Sequence, residues 1–248
     1  MKRIFFIFLM LICAFLSVSA QIQKVQNRPY TDLRPFHFGI QVGAHLQDME
    51  FVNVGPQTIV NEDGTTTDVL ILTDQDSWDP GFTVGVLGEF RLNTNFQLRV
   101  APTMYFGSRH LTMLNMGNPD APQEVARQKQ DMKTIYVGVP VDMIFAAPRF
   151  NNHRPYIMAG VSPMLNLSGS RDDYYRMNSF DVFAEVGIGC DFYLPFFKLR
   201  PELKFMYGLT NCLDKSHSKE IRDANMLPYV NAVSEAHSKI IALTFYFE

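Results

Sequence analysis

The chain is poor in the residues that staple small exported folds: its 248 residues include only three cysteines and one tryptophan. Cys190 and Cys212, the two beyond the N-terminal region, form neither a disulfide framework nor a metal-ligand spacing, and leave open at most a single bond between themselves. A basic excess is missing as well. Lys and Arg number 22 against 25 Asp and Glu, a formal charge of -3, which excludes the electrostatic footprint of a nucleic-acid binder. Past the N-terminus no apolar run approaches the roughly 20 residues of a membrane helix. Helix-period patterns are scarce, and no phosphate-binding glycine loop or internal repeat is present. What remains is 47% hydrophobic and 13% aromatic residues, too apolar for a disordered chain, at a mean hydropathy of -0.04, too neutral for a helix bundle in lipid.

Residues 1–20 read Met-Lys-Arg, an apolar stretch from Ile4 to Leu16, and Ser17-Val18-Ser19-Ala20 before Gln21. This is the pattern of a secretory signal peptide cut after Ala20. The expected mature chain has a periplasmic segment at 21–33 and one folded domain at 34–248.

That domain alternates. Phe36, Ile40, Val42 and Leu46 fall on one face while His37, Gln41, Gly43 and His45 fall on the other. The same period of two, the sign of a strand with unlike faces, returns at 82–92, 96–106, 134–145, 156–167, 180–192, 197–207 and 240–247. The connections 47–79, 107–131, 169–178 and 208–237 are long, and 93–95, 146–153 and 194–196 are short. Alternating long loops and short turns are the habit of outer-membrane barrels. The fold expected is therefore all-β: an eight-stranded antiparallel up-and-down transmembrane β-barrel of the outer-membrane type.

A soluble barrel or periplasmic β-sandwich would also alternate, with its apolar face inward. Two features favour the inverted arrangement. Phe36, Phe96, Phe106, Phe145, Phe180, Phe192, Phe205, Tyr207 and Phe247 end the apolar stripes, where interfacial girdles lie. The opposite stripe carries Glu89, Arg91, Arg99, Asp142, Asp181, Glu185, Asp191, Lys198, Arg200, Glu202 and Lys204, acids and bases in near balance. Such a set is expected to pair as a charge network filling the lumen of a barrel too narrow to conduct solutes. Pro102, Pro140, Pro163 and Pro201 fall near strand middles, where a missing N–H predicts irregular pairing.

Catalytic candidates are His110, the Ser216-His217-Ser218 stretch and His237. Sequence adjacency does not make a serine and a histidine a nucleophile and its base. His37 and His45 lie too far apart along one strand to share a metal. Asp74, Asp76 and Asp79 lack the glycine and distal glutamate of a calcium loop. No catalytic group, cofactor, metal or small-molecule substrate is assigned, and the chain is expected not to be an enzyme. Arg171, Asp172, Tyr174, Tyr175 and Arg176 combine arginine and tyrosine, residues enriched in interfaces, and form a candidate contact loop.

The opening Asp32-Leu33-Arg34-Pro35-Phe36-His37-Phe38-Gly39-Ile40, the following Gln41-Val42-Gly43 and the Pro80-Gly81-Phe82 of the second strand resemble the PorT family. The likeness runs through most of the mature chain, and the terminal Glu248 departs from the aromatic ending usual in outer-membrane barrels. The resemblance implies an integral outer-membrane protein of the type IX secretion system, which exports proteases and adhesins. Its implied partners are outer-membrane lipid and other secretion components. A surface adhesin with long recognition loops and a lipid-modifying enzyme are the alternatives.

Overall fold

The computed structural model describes residues 25–60, 66–117, 127–168, 174–221 and 226–248; residues 1–20, where a signal peptide is expected, and Arg171 and Asp172 lie outside them. No helix among them is long and apolar enough to cross a membrane. The chain forms β1 (Phe36–Asn53), β2 (Pro56–Val60), β3 (Thr66–Gln75), β4 (Asp79–Arg91), β5 (Phe96–Val100), β6 (Thr103–Asn115), β7 (Arg127–Gly138), β8 (Val141–Ala146), β9 (His153–Asn166), β10 (Phe180–Tyr193), β11 (Lys198–Gly208) and β12 (Val233–Phe247).

These twelve segments make eight staves. β5 with β6, and β7 with β8, are single staves interrupted at Ala101–Pro102 and Val139–Pro140, and β2 with β3 is a hairpin inserted in the first long connection. The ring runs β1, β4, β5/β6, β7/β8, β9, β10, β11, β12 and back to β1, all antiparallel. In lipid an open sheet edge would strand its backbone donors, so closure is what lets this sheet span.

The irregularities expected at the four prolines are present. Pro102 and Pro140 split their staves, Pro163 lies beside the gap between β7 and β8, and the β10–β11 ladder lapses at Cys190 and Asp191, opposite Pro201. Neighbouring donors still use three of the proline carbonyls: Val86 N–H reaches Pro102 at 3.0 Å, and Ala101 and Val139 reach Pro140 and Pro163 at 3.1 Å.

The outer wall carries Phe36, Ile40, Phe82, Val86, Phe145, Ile157, Val186, Ile188 and Leu243, all exposed, as an apolar belt. Above the belt the staves run on further than the alternation in sequence suggests. β1 reaches Asn53, β6 reaches Asn115, β7 begins at Arg127 and β12 at Val233, all within stretches expected to be loop. The physical reason is a change of sign. Outside the bilayer the outer positions turn polar, as at Asp48, Glu50, Lys129 and Asp131. The inner positions turn apolar, and Met49, Ile71, Leu111, Met113, Met132, Tyr175, Met177, Cys212 and Ala236 form a buried cluster. One period of two thus serves an inverted barrel in lipid and an ordinary one, packed inside, in water.

Candidate functional site

The belt-level lumen is filled by charge. Arg200, wholly buried, lies between Glu89 and Asp191, with its Nε 2.5 Å from Asp191 and Nη1 3.5 Å from Glu248. One layer up the barrel Arg99 spans Asp142 at 2.9 Å and Glu202 at 2.8 Å, its guanidinium 4.5 Å from the Tyr246 ring centroid. Glu202 also accepts the hydroxyls of Tyr156 at 2.8 Å and Tyr246 at 2.9 Å. Lys204 lies 3.3 Å from Glu185, and Lys198 pairs with Glu248. Arg200 with Glu89, and Arg99 with Glu202, join staves that are not neighbours in the ring, so these two pairs tie the walls together across the interior. Tyr156 lies so close over Gly189 that a Cβ there would overlap its ring; the glycine is what admits the tyrosine.

Most of the charged residues picked out by strand parity meet here: Glu89, Arg99, Asp142, Glu185, Asp191, Lys198, Arg200, Glu202 and Lys204. Two stand apart. Arg91 is half-buried at the rim, where it donates to the Leu33 carbonyl at 3.3 Å. Asp181, near the top of the wall, accepts from Thr210 and from Val182 N–H at 2.8 Å. Parity missed Arg109 and Arg154, both buried, because the first lies past the expected end of its strand and the second before the start of its own. Glu248, noted as a departure from barrel habit, is the acid that completes the bottom of the network.

The short-turn rim, assigned to the periplasm by the habit of such barrels, is covered by residues 25–34. Asn27 N–H donates to the Asn152 side chain at 2.9 Å, and Arg28 donates to the Glu248 carbonyl at 2.9 Å. Arg149 stacks 3.6 Å from the Tyr193 ring centroid and donates to the carbonyls of Asn27 and Arg28. Asp32 accepts the Tyr193 hydroxyl at 2.5 Å, between Arg149 and Arg154, each 3.7 Å away. The turn beneath is closed by Asn151 at φ 52°, a left-handed conformation asparagine tolerates.

The opposite rim is capped by the long connections. Tyr175, buried, shares a hydrogen bond with Thr73 at 2.8 Å and donates to the Tyr229 carbonyl at 2.6 Å; burial pushes its phenol up. Tyr174 packs edge-on to Tyr229. Arg176 binds Asp214 and Glu220, both at 2.7 Å, and the Glu220 carboxyl is held low by that guanidinium. In the candidate contact loop, the described residues thus fasten the cap: Tyr175 turns into its core and Arg176 into an ion pair.

His110 lies above the belt on the outer wall. Its Nδ1 is 2.7 Å from Asp79, which also accepts the His110 backbone N–H at 2.8 Å, and Asp79 raises the imidazole above its ordinary value. His237 stacks on Tyr207. Ser216 turns to Asp214 at 2.6 Å and Ser218 to the Lys215 carbonyl at 3.2 Å. Asp76 takes Thr112 and Arg127, both at 2.8 Å. His37 is 3.8 Å from Glu248, and His45 stands edge-on to Tyr105. Cys190 and Cys212 are free thiols, Cys212 lying in the cap core. No group of three His, Cys, Asp or Glu among the described residues is placed to hold a metal ion.

A closed antiparallel ring with an apolar belt outside and paired charges inside defines an integral β-barrel of the outer membrane. The sequence matches the family described as outer membrane protein beta-barrel domain over residues 20–214, and the chain belongs to that family. Comparison with curated proteins gave no match. Among solved structures the chain is similar to neisserial surface protein A at 13% identity, covering 86% of this chain and 98% of that one with a TM-score of 0.43. It is also similar to the outer membrane protein OprG from Pseudomonas aeruginosa at 11% identity, covering 92% and 96% with a TM-score of 0.43. A third is Ail, the attachment invasion locus protein of Yersinia pestis, at 12% identity, 86% and 99% coverage and a TM-score of 0.38.

Proposed function

We propose that this outer-membrane barrel is a non-enzymatic accessory or assembly component of the type IX secretion system, acting through contacts with other components and not as the conduit. The observation that carries the second half of this reading is the lumen. Arg99, Arg200, Glu89, Asp142 and Asp191 are wholly inaccessible to solvent, so the interior leaves no path for an exported protease. The first half is supported by the likeness of residues 32–43 and 80–82 to the PorT family.

The test is deletion of the gene in the source bacterium, followed by measurement of cell-surface protease activity and secreted cargo. Loss of both, restored by the intact gene, is the expected result; unchanged export overturns the reading. The packed cap favours a second reading, a surface recognition barrel, which predicts lost ligand or host-surface binding with export intact.

A further inference from the structure

The buried bases of the interior are paired, with one exception. Arg99, Arg154, Lys198, Arg200 and Lys204 each have a carboxylate within ion-pair distance. Among the described residues Arg109 is the buried lysine or arginine that has none. Its guanidinium, closed to solvent, donates to Ser238 Oγ at 3.1 Å and to the Tyr136 hydroxyl at 3.5 Å, while its Nε and Nη2 meet no acceptor.

The fold sets this charge between two apolar layers. On the inner face of β12, Ala236 belongs to the cap core and Ile240 to a lower cluster with Tyr136, Phe183 and Met206. Ser238, which Arg109 reaches, stands between them. On β10, Phe183 in the same way separates Asp181 from Glu185, so the belt-level acids lie a layer below and are held by their own bases. Asp181 feels the charge of Arg109 but stands outside ion-pair distance, with Oδ1 held by Thr210 and the Val182 N–H. A guanidinium does not shed its proton in a protein, and an ion buried without a counter-charge is among the costliest groups to fold. The hydroxyls of Ser238 and Tyr136 satisfy N–H groups. They do not balance the charge.

We propose that the Nε–Nη2 edge of Arg109 holds a small monovalent inorganic anion, a halide ion, taken up from solution as the cap packs. The two N–H groups lie side by side on one edge of the planar fork and grip a single acceptor. One negative charge is what the layer admits. Apolar groups above and below favour a weakly hydrated ion, and Asp181 opposes a second negative charge, which disfavours sulfate and phosphate. The ion neutralises the residue that ties the β6 wall to Ser238 of β12 beneath the cap core. The site goes beyond the secretion reading and is tested without it.

In the experiment the full chain, folded in detergent micelles, is unfolded with urea in potassium bromide or potassium gluconate at equal ionic strength. An ion bound to the folded state lowers the unfolding constant in proportion to its concentration once the site fills. Replacing gluconate by bromide so that bromide rises tenfold is therefore expected to lower that constant by up to about tenfold. Arg109→Gln is expected to abolish the bromide dependence, and Asp181→Asn to keep or deepen it. Should Arg109→Gln fail to fold, bromide-soaked crystals of the parent decide, with an anomalous peak expected within hydrogen-bond reach of Nε and Nη2. Equal urea midpoints of the parent in the two salts, a bromide dependence that survives in Arg109→Gln or is lost in Asp181→Asn, or a crystal without that peak would each overturn the proposal.

Discussion

Arg200 shows at one residue what the lumen demands. Its guanidinium is buried between two carboxylates, and a buried charge that loses its partner costs far more than the pair contributes. Arg200→Met leaves Glu89 and Asp191 facing each other and is expected to destabilise the folded barrel by about 3–5 kcal/mol, read as a lowered urea midpoint in detergent. Adding Glu89→Gln and Asp191→Asn to the same chain is expected to recover most of that loss. A single variant as stable as the parent would refute the pairing. Much of this network is legible in the sequence, because a charge on the Gly-rich stripe of a stave has only the interior to enter. The partners are not legible: Glu89 and Arg200 come from staves that meet only across the closed lumen.

Among the elements, β4 and β6 are held together above the belt by the Asp79–His110 pair. Asp79 makes the imidazole more basic than in the unfolded chain, where its ordinary value is 6.5. The sign follows from linkage: the contribution is fully present below about pH 6.5 and is lost as the pH rises through the raised value. Hydrogen exchange at the His110 amide, which Asp79 also holds, is expected to speed up beyond its intrinsic pH dependence as the pH rises through that raised value. His110→Gln is expected to abolish that excess; a flat profile in the parent would dismiss the coupling. The ring is half in solvent, so the effect is local. At this scale the sequence is misleading in one respect. Asp48-Met49-Glu50-Phe51 keeps the strand period but swaps which parity is apolar, so β1 reads as ending near Leu46 when it continues to Asn53. The same swap hides the outer halves of β6, β7 and β12, and with them Arg109 and the cap core.

For the whole molecule, the lumen network, the N-terminal segment over one mouth and the packed cap over the other make three barriers in series. Reconstituted into planar bilayers, the protein is expected to show no steady ion conductance at moderate voltage. Stable ohmic steps would contradict the sealed interior. The overall architecture was the most readable level, since eight alternating stretches with long and short connections leave few closed sheets to choose from. The hairpin β2–β3 was not readable, because its residues neither face lipid nor line the charged lumen.

The first and last staves share a ladder running from Ile40 with Phe247 to Asn53 with Val233, broken only by a shift near its outer end. Joining chain segments so distant in sequence carries the largest loop-closure entropy in the fold, and nothing can pair with β1 on that side until β12 has been made. The ring therefore closes last at β12. Until then β1 is a long, half-apolar free margin in a crowded periplasm, so the hazard of misassembly peaks at the final step and a chain cut short before β12 is the form most exposed to aggregation and proteolysis.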